Sequence, residues 1–161
     1  MRAVSALALA TSLLALAGCP MPESAAAHMQ NTASDFNTNV RFGRMSLALE
    51  SVAPKEREQF LARRKTWGDH IQIADYELIS AKMKDNDNAD VVVKYDWYEV
   101  TAGDLHTTKI HQKWHNQKGG WMLESEERED GAPGILGEPA PAPEVSRPTE
   151  SAQFPTVHLG N

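Results

Sequence analysis

The sequence has little cysteine, little clustered positive charge and few long apolar runs. Its 161 residues include one Cys, which excludes an intramolecular disulfide and argues against a zinc site built on cysteines. Acidic residues outnumber basic ones by 22 to 16, so the formal net charge is -6. Because phosphate contacts require clustered Lys and Arg, we expect no nucleic-acid partner.

What the sequence does contain is enough apolar material for one folded core. Hydrophobic residues make up 41% of the chain and charged residues 24%, which argues against disorder throughout. All four Trp and all three Tyr lie between residues 34 and 128. Since aromatic side chains bury a large area each, we predict a single domain over residues 34–128.

The N-terminal residues have the form of an export signal. Arg2 is the only charge before a small and apolar run, residues 3–17, which is shorter than the roughly 20 residues of a transmembrane helix. The run ends in Leu16-Ala17-Gly18-Cys19, and this motif resembles the lipobox of bacterial lipoproteins. The resemblance implies cleavage after residue 18 and lipidation of Cys19; the alternatives are a plain signal peptide or a buried core Cys.

A lipidated Cys19 would attach the protein to a membrane through acyl chains such as palmitate. Each buried CH₂ contributes about 0.8 kcal/mol, so several chains on one residue hold a protein durably. By the same resemblance, Pro20 stands where an Asp would retain a lipoprotein in the inner membrane of many Gram-negative bacteria. We therefore expect an outer-membrane protein that faces the periplasm.

Two segments flank the predicted domain. Residues 19–33 are small, polar and Pro-containing, and we interpret them as the lipidated Cys followed by a flexible tether. Residues 129–161 hold six of the nine Pro residues, and Pro resists both helix and central strand. We therefore predict a disordered, Pro-rich tail there.

Within the domain, helices are predicted before strands. Ser34 or Asp35 suits a helix cap, Gly43 separates two short helices, and Pro54 suits the first turn of another that ends near Gly68. Alternating apolar residues then indicate four antiparallel strands. They cover residues 71–81 with a bulge near Asp75, residues 89–100, residues 106–116, and a last strand from Trp121 that ends in the charge run 124–130.

This order predicts an α+β fold in which helices pack on a curved antiparallel sheet. The layout, with helices ending at Trp67-Gly68 and a Lys-Gly-Gly-Trp-x-Leu segment at residues 118–123, resembles the nuclear transport factor two-like superfamily, which includes SnoaL-like cyclases and ketosteroid isomerase. The resemblance implies a cone-shaped domain.

A curved sheet over helices can leave a concave pocket. The residues that we expect to line such a pocket, if it is open, are Tyr95, Trp97, Ile110, Gln112, Trp114 and Trp121. We favour the other interpretation, in which these side chains fill a closed core, because a domain of about 95 residues needs most of its large side chains for burial.

Evidence for catalysis or metal binding is weak in the sequence. Isomerase-like members of the superfamily use a carboxylate base beside a Tyr, but no motif surrounds the acids and tyrosines on the strands, which are Asp75, Asp96, Glu99, Tyr76, Tyr95 and Tyr98. His111 and His115 on a strand would lie roughly 13 Å apart, too far for one metal ion. We predict no cofactor and no metal.

The sequence therefore predicts a lipid-anchored envelope protein with a binding or assembly domain. Its partners would be the membrane and either a small apolar ligand or an envelope protein. Two alternatives remain, an isomerase- or cyclase-type enzyme and a purely structural envelope lipoprotein. A filled core with an exposed apolar patch would favour a protein partner, and an open pocket would favour a ligand or an enzyme.

Overall fold

The computed structural model describes residues 23–118 and 120–139 and confirms the α+β class. Three helices precede a four-stranded sheet, and two 3-10 turns join the second helix to the third. The elements are α1 (Ala25–Arg41), α2 (Met45–Ala48), the turns Leu49–Ser51 and Pro54–Glu56, α3 (Arg57–Arg63), β1 (Ile71–Met83), β2 (Asn88–Glu99), β3 (Leu105–Gln117) and β4 (Gly120–Gly131).

The first helix begins well before the predicted cap at Ser34. Ser24 is the N-cap, and its hydroxyl accepts a hydrogen bond of 3.1 Å from the N–H of Ala27. The buried face of α1 includes Met29 and Ala33. The flexible tether expected over residues 19–33 is therefore wrong from Ala25 onward, where the chain is helical and packs on the domain. The Ala-rich stretch that suggested a linker has high helix propensity, and its spaced apolar residues pack on the sheet.

The four strands form an open, curved antiparallel sheet in the order β1-β2-β3-β4. The predicted irregularity near Asp75 is confirmed, because the register of β1 against β2 shifts between Ile73 and Asp75. The predicted inward set on β2 is also confirmed: Val91, Val93, Tyr95 and Trp97 are all at most 1% exposed. Apolar and polar residues alternate strictly along β2, and this pattern allowed the inward face to be predicted from the sequence.

The last strand is much longer than predicted. The charge run 124–130 does not end β4, which continues to Gly131 and pairs with β3 along its length. The outer residues Glu127 to Asp130 are exposed, whereas Glu126 is buried. Backbone pairing with β3 therefore extends β4 through a segment whose composition alone disfavours a strand.

Residues 132–138, which we call the closing segment, pack against the domain instead of beginning a disordered tail. Ile135 is completely buried and Leu136 is 7% exposed. The carbonyl of Ile135 accepts a bond of 2.9 Å from the indole N–H of Trp67. The predicted domain boundary at residue 128 is thus too early, and the rest of the predicted tail, from residue 140, lies outside the described residues.

Candidate functional site

The six predicted pocket residues lie in the core rather than around an open cavity. None is more than 3% exposed. Phe36 of α1 packs edge-on against Trp114, with ring centroids 5.4 Å apart, and fills the space under the sheet from the helical side. The favoured interpretation, a filled core, therefore holds, and no open pocket is lined by Tyr95, Trp97, Ile110, Gln112, Trp114 and Trp121 under the sheet of the described residues.

A buried polar network crosses this core, with Gln112 at its centre. The amide nitrogen of Gln112 donates to Asn37 Oδ1 at 3.0 Å and to Glu126 Oε1 at 3.1 Å. Its amide oxygen accepts from Asn37 Nδ2 at 3.3 Å and from the indole of Trp114 at 3.4 Å. Tyr95 donates its hydroxyl proton to Asn37 Oδ1. These bonds tie α1, β2, β3 and β4 together, because a buried polar group is costly unless it is paired.

The network ends in a buried ion pair between α3 and β4. Arg64 Nη2 and Glu126 Oε2 are 2.5 Å apart, and the two side chains are 1% and 2% exposed. The guanidinium carbon of Arg64 lies 3.8 Å from the ring centroid of Phe60 and 4.8 Å from that of Trp67. Arg64 is thus held by a carboxylate and by two aromatic faces, which suits its planar, weakly hydrated group.

The environment of Tyr95 fixes its protonation state. Burial, reinforced by the negative charge of Glu126, raises the pKa of Tyr95 well above its ordinary value of 10.0. Its hydroxyl is therefore protonated at physiological pH and committed to Asn37. A Tyr in this state stabilises the core and is not poised to exchange protons with a substrate.

A surface cleft of about 330 Å³ lies beside the ion pair, between the C-terminal end of α1, the end of α3 and the start of β1. Its floor is formed by the buried residues Val40, Arg64 and Ile71. The walls are half-buried or exposed side chains. They are Arg41, Phe42, Met45, Trp67, Gln72 and Ile73, with Gly43 and Gly68 completing the rim. The lining therefore combines apolar and polar groups in similar measure, and a concave site of this kind can hold a small molecule.

Arg64 links the cleft to the buried network. One guanidinium nitrogen, Nη2, binds Glu126, but the Nε–H of Arg64 has no hydrogen-bond partner among the described residues. A buried N–H donor without a partner is unusual in a folded protein. The unpaired donor therefore belongs to a side chain that both forms the cleft floor and carries a positive charge.

The carboxylates considered for catalysis face away from the core. Asp75 forms a 3.0 Å ion pair with Arg41, and Asp96 accepts a hydrogen bond of 2.7 Å from Thr107 at the sheet surface. Glu99 is exposed at the end of β2. Of the tyrosines, Tyr76 bonds to Thr38 of α1 and Tyr98 to Gln72. None of these three carboxylates lies opposite a Tyr across an open pocket.

The histidines of the third strand occupy separate environments. His111 lies 3.1 Å from Asp90, His115 shares a 3.0 Å hydrogen bond with Asn88, and the ring of His106 lies against Trp97. Within residues 23–118 and 120–139, no group of three His, Cys, Asp or Glu residues is placed to hold a metal ion.

The lipidation motif, Leu16 to Cys19, lies outside the described residues. In the part of the chain that is described, no helix is both long and apolar enough to cross a membrane. No family model, no curated protein and no solved structure matches the chain.

Sequence reasoning missed the residues that make this site. In the sequence, no motif marks Arg64 as a site residue, and Glu126 is one member of the charge run 124–130. A shift in the β3–β4 register at Lys113 and Trp114 changes which β4 residues point inward. Glu126 is buried three positions after Leu123, whereas Leu123 is buried two positions after Trp121. A prediction based on strict alternation therefore places Glu126 on the exposed face.

Proposed function

We propose that this chain is a lipid-anchored cell-envelope protein whose domain binds a ligand in the cleft formed by α1, α3 and β1. The observation that carries the binding function is the cleft itself, whose floor includes the buried Arg64 of the ion pair with Glu126 and whose walls carry both polar and apolar side chains.

The anchor is supported by the sequence. Leu16-Ala17-Gly18-Cys19 follows a short apolar run with one preceding charge and contains the only Cys of the chain. Acyl chains on Cys19 would insert in the membrane, and Pro20 favours the outer membrane and a domain that faces the periplasm. An acidic chain gains little from anionic headgroups, so the acyl chains would supply the attachment.

The finer fold assignment is part of the same proposal. Helices that precede a four-stranded antiparallel meander support membership of the nuclear transport factor two-like superfamily. The space between the helices and the curved sheet is filled by aromatic side chains and by the Gln112 network, so a ligand would bind at the edge of the domain rather than under the sheet.

The filled core also favours binding over the isomerase- or cyclase-type alternative. Such an enzyme needs a carboxylate and a hydroxyl that both reach the substrate. Here Glu126 is paired with Arg64, and Tyr95 is bonded to Asn37 in a region closed to solvent. The second alternative, a purely structural lipoprotein, gives the cleft between α1, α3 and β1 no role.

The anchor is tested by labelling cells with an alkyne-bearing palmitate and comparing wild type with Cys19→Ala. We expect label on the wild-type protein, recovery in the membrane fraction and loss of both in Cys19→Ala. Ser12→Ala is the matched control, because it changes the apolar run without touching the motif. An unlabelled wild-type protein would remove the anchor from the proposal and leave the cleft function to be judged by its own test.

The cleft is tested by photolabelling the full-length chain in its native membranes with a small apolar diazirine probe and mapping the labelled peptides by mass spectrometry. We expect label on the cleft walls at Met45, Trp67 or Ile73. Label spread evenly over the surface, or no label at the cleft, would contradict the binding function.

A further inference from the structure

We propose that two copies of this chain associate through the open edge of the sheet. Their β1 strands would lie antiparallel, with the two-fold axis between Ile79 and Ser80, so that the sheet of one copy continues into the sheet of the other. This inference goes beyond the binding function and depends on neither the cleft nor the anchor.

The two edges of the four-stranded sheet differ in how they are covered. On the outer side of β4, the N–H of Ala53 donates to the carbonyl of Leu123 at 2.9 Å, and Arg63 Nη1 donates to the carbonyl of Glu126 at 2.7 Å. On the outer side of β1, no other element of the described residues hydrogen-bonds to the backbone over residues 73–83. A long, uncovered edge strand can pair with another strand.

The side chains along this edge are incompletely covered. The inner face of β1 carries apolar side chains that pack on the core but remain partly exposed, and they include Tyr76, Leu78, Ala81 and Met83. Ile79 is 46% exposed. The strand contains neither Pro nor Gly, the residues that most weaken strand pairing. A second β1 strand would therefore cover apolar surface as well as backbone.

Two bulges in β1 limit how two copies can be aligned. The register of β1 against β2 shifts between Ile73 and Asp75 and again between Leu78 and Ser80. Each extra residue inverts the alternation of faces along the strand. A symmetric antiparallel pair therefore keeps opposed side chains on the same face only if its two-fold axis lies at a bulge or midway between the two bulges.

Charge and existing contacts select one of these three alignments. An axis midway between the bulges places Glu77 opposite Glu77 of the second copy, and like charges directly opposite are destabilising. An axis at the first bulge requires the outer side of the strand at Ile71, whose carbonyl already accepts from the N–H of Gly68 at 2.8 Å. The axis between Ile79 and Ser80 meets neither obstacle.

The selected alignment is complementary in both charge and polarity. On the outer face, each opposed pair joins an acid to a base and occurs twice by symmetry; these pairs are Glu77–Lys82 and Asp75–Lys84. On the inner face, the opposed pairs are apolar; they are Tyr76–Met83 and Leu78–Ala81. Cross-strand pairs of both kinds stabilise antiparallel sheets.

The ion pairs within one copy leave these charged groups able to bind a second copy. Glu77 binds Lys94 through Oε2, and Asp75 binds Arg41 through Oδ1. The other oxygen of each exposed carboxylate has no partner among the described residues, within which Lys82 also forms no ion pair. Because exposed ion pairs are weak, they specify the alignment, while main-chain hydrogen bonds and apolar pairs supply the affinity.

The alignment is tested by disulfide trapping of the full-length chain in intact cells. Glu77→Cys/Lys82→Cys places two thiols opposite each other across the interface, and we expect a reducible dimer after mild oxidation. Within one copy the two positions are about 16 Å apart along the strand, too far for a disulfide. Each single variant is a control, since its two thiols would also lie about 16 Å apart in the pair, and we expect at least about 5-fold less dimer from it.

The charge pairing is tested by mixing two variants of the purified full-length protein. Glu77→Lys and Lys82→Glu each place like charges opposite each other in a homodimer, whereas a heterodimer of the two variants restores opposite charges at both positions. We expect the mixture to associate at least about 5-fold more tightly than either variant alone, measured by sedimentation equilibrium. Each variant is the same molecule in the separate and mixed samples, so altered folding cannot produce the difference.

The matched control is a second pair of charge reversals away from this edge. Lys113→Glu and Glu127→Lys lie on β3 and β4, and their mixture should associate no more tightly than its components. A dimer from Glu77→Cys alone, as abundant as that from the double variant, would overturn the alignment. No dimer above the wild-type background, or no gain on mixing Glu77→Lys with Lys82→Glu, would overturn the pairing of copies through β1.

Discussion

Arg64 and Glu126 form an ion pair that is almost completely removed from water, and this pair decides much of the chemistry of the domain. Burying two charges is expensive, and their attraction offsets the cost only when the geometry is good and the remaining polar atoms are paired. Glu126 meets this condition, since Arg64 and Gln112 each bind one of its oxygens. Arg64 meets it incompletely, because its Nε–H is unpaired beside the cleft.

Removing the acid should be strongly destabilising. Glu126→Gln leaves the buried charge of Arg64 uncompensated, and we expect a loss of about 3–5 kcal/mol in the free energy of unfolding, measured by urea denaturation. The neighbouring Glu127 is exposed and only 3.7 Å from Lys113, so Glu127→Gln should cost about 0.5 kcal/mol or less. Equal losses in the free energy of unfolding of the two variants would contradict the claim that the Arg64–Glu126 pair contributes as a buried ion pair.

At the scale of the elements, the end of β4 and the closing segment are held by β3. The N–H of Ala132 donates to the carbonyl of Thr107 at 3.0 Å. The buried hydroxyl of Thr108 accepts from Trp97 Nε1 at 2.9 Å and donates to the carbonyl of Ala132 at 2.7 Å. The chain can turn inward here because Gly131 has φ = 89°, a conformation that residues with a side chain rarely adopt.

Gly131→Ala tests whether this turn is required. An added Cβ would lie 2.2 Å from the carbonyl oxygen of Thr107, on backbone that cannot move without breaking the sheet. We expect a loss of about 3 kcal/mol or more in the free energy of unfolding, from positive φ and steric overlap together.

The matched control is Gly103→Ala in the turn between β2 and β3. Gly103 also has positive φ, at 76°, but an added Cβ would meet no atom within 4 Å. We expect a smaller loss of about 1 kcal/mol, from the backbone conformation alone. Comparable urea midpoints for the two variants would contradict the steric part of the argument.

At the scale of the whole molecule, the closing segment connects the end of the sheet to the region after α3, where the indole N–H of Trp67 donates to the carbonyl of Ile135 at 2.9 Å. Glu138 holds it in place by accepting hydrogen bonds of 3.0 Å from the N–H groups of Gly134 and Leu136, and one of 3.1 Å from Arg128. Partial burial raises the pKa of Glu138, but these three donors outweigh it. The pKa therefore lies below its ordinary value of 4.5.

A lowered pKa in the folded state predicts a pH dependence of stability. The ionised Glu138 stabilises the fold fully above pH 4.5, and this contribution is lost as the pH falls through the lower, folded-state pKa. We expect the free energy of unfolding of wild type to exceed that of Glu138→Gln by about 1 kcal/mol at pH 7, and we expect this difference to decrease progressively as the pH falls below 4.5.

The measurement is thermal or urea unfolding of both proteins across that pH range. Glu129→Gln, at an exposed position of β4, is the control and should follow wild type at every pH. A difference between wild type and Glu138→Gln that does not change with pH would contradict the assignment of the effect to the ionised carboxylate.

The sequence by itself determined the α+β class, the inward face of β2 and the bulge near Asp75, because alternation and turn residues act over short stretches of chain. Only the tertiary structure decided where α1 begins, that β4 continues through the charge run, and that residues 132–138 pack on the domain. It also decided that the predicted pocket residues are core, and it placed Arg64 against Glu126 from 62 residues away. These features depend on contacts between distant segments, whose energies overcome the local preferences that composition and periodicity report.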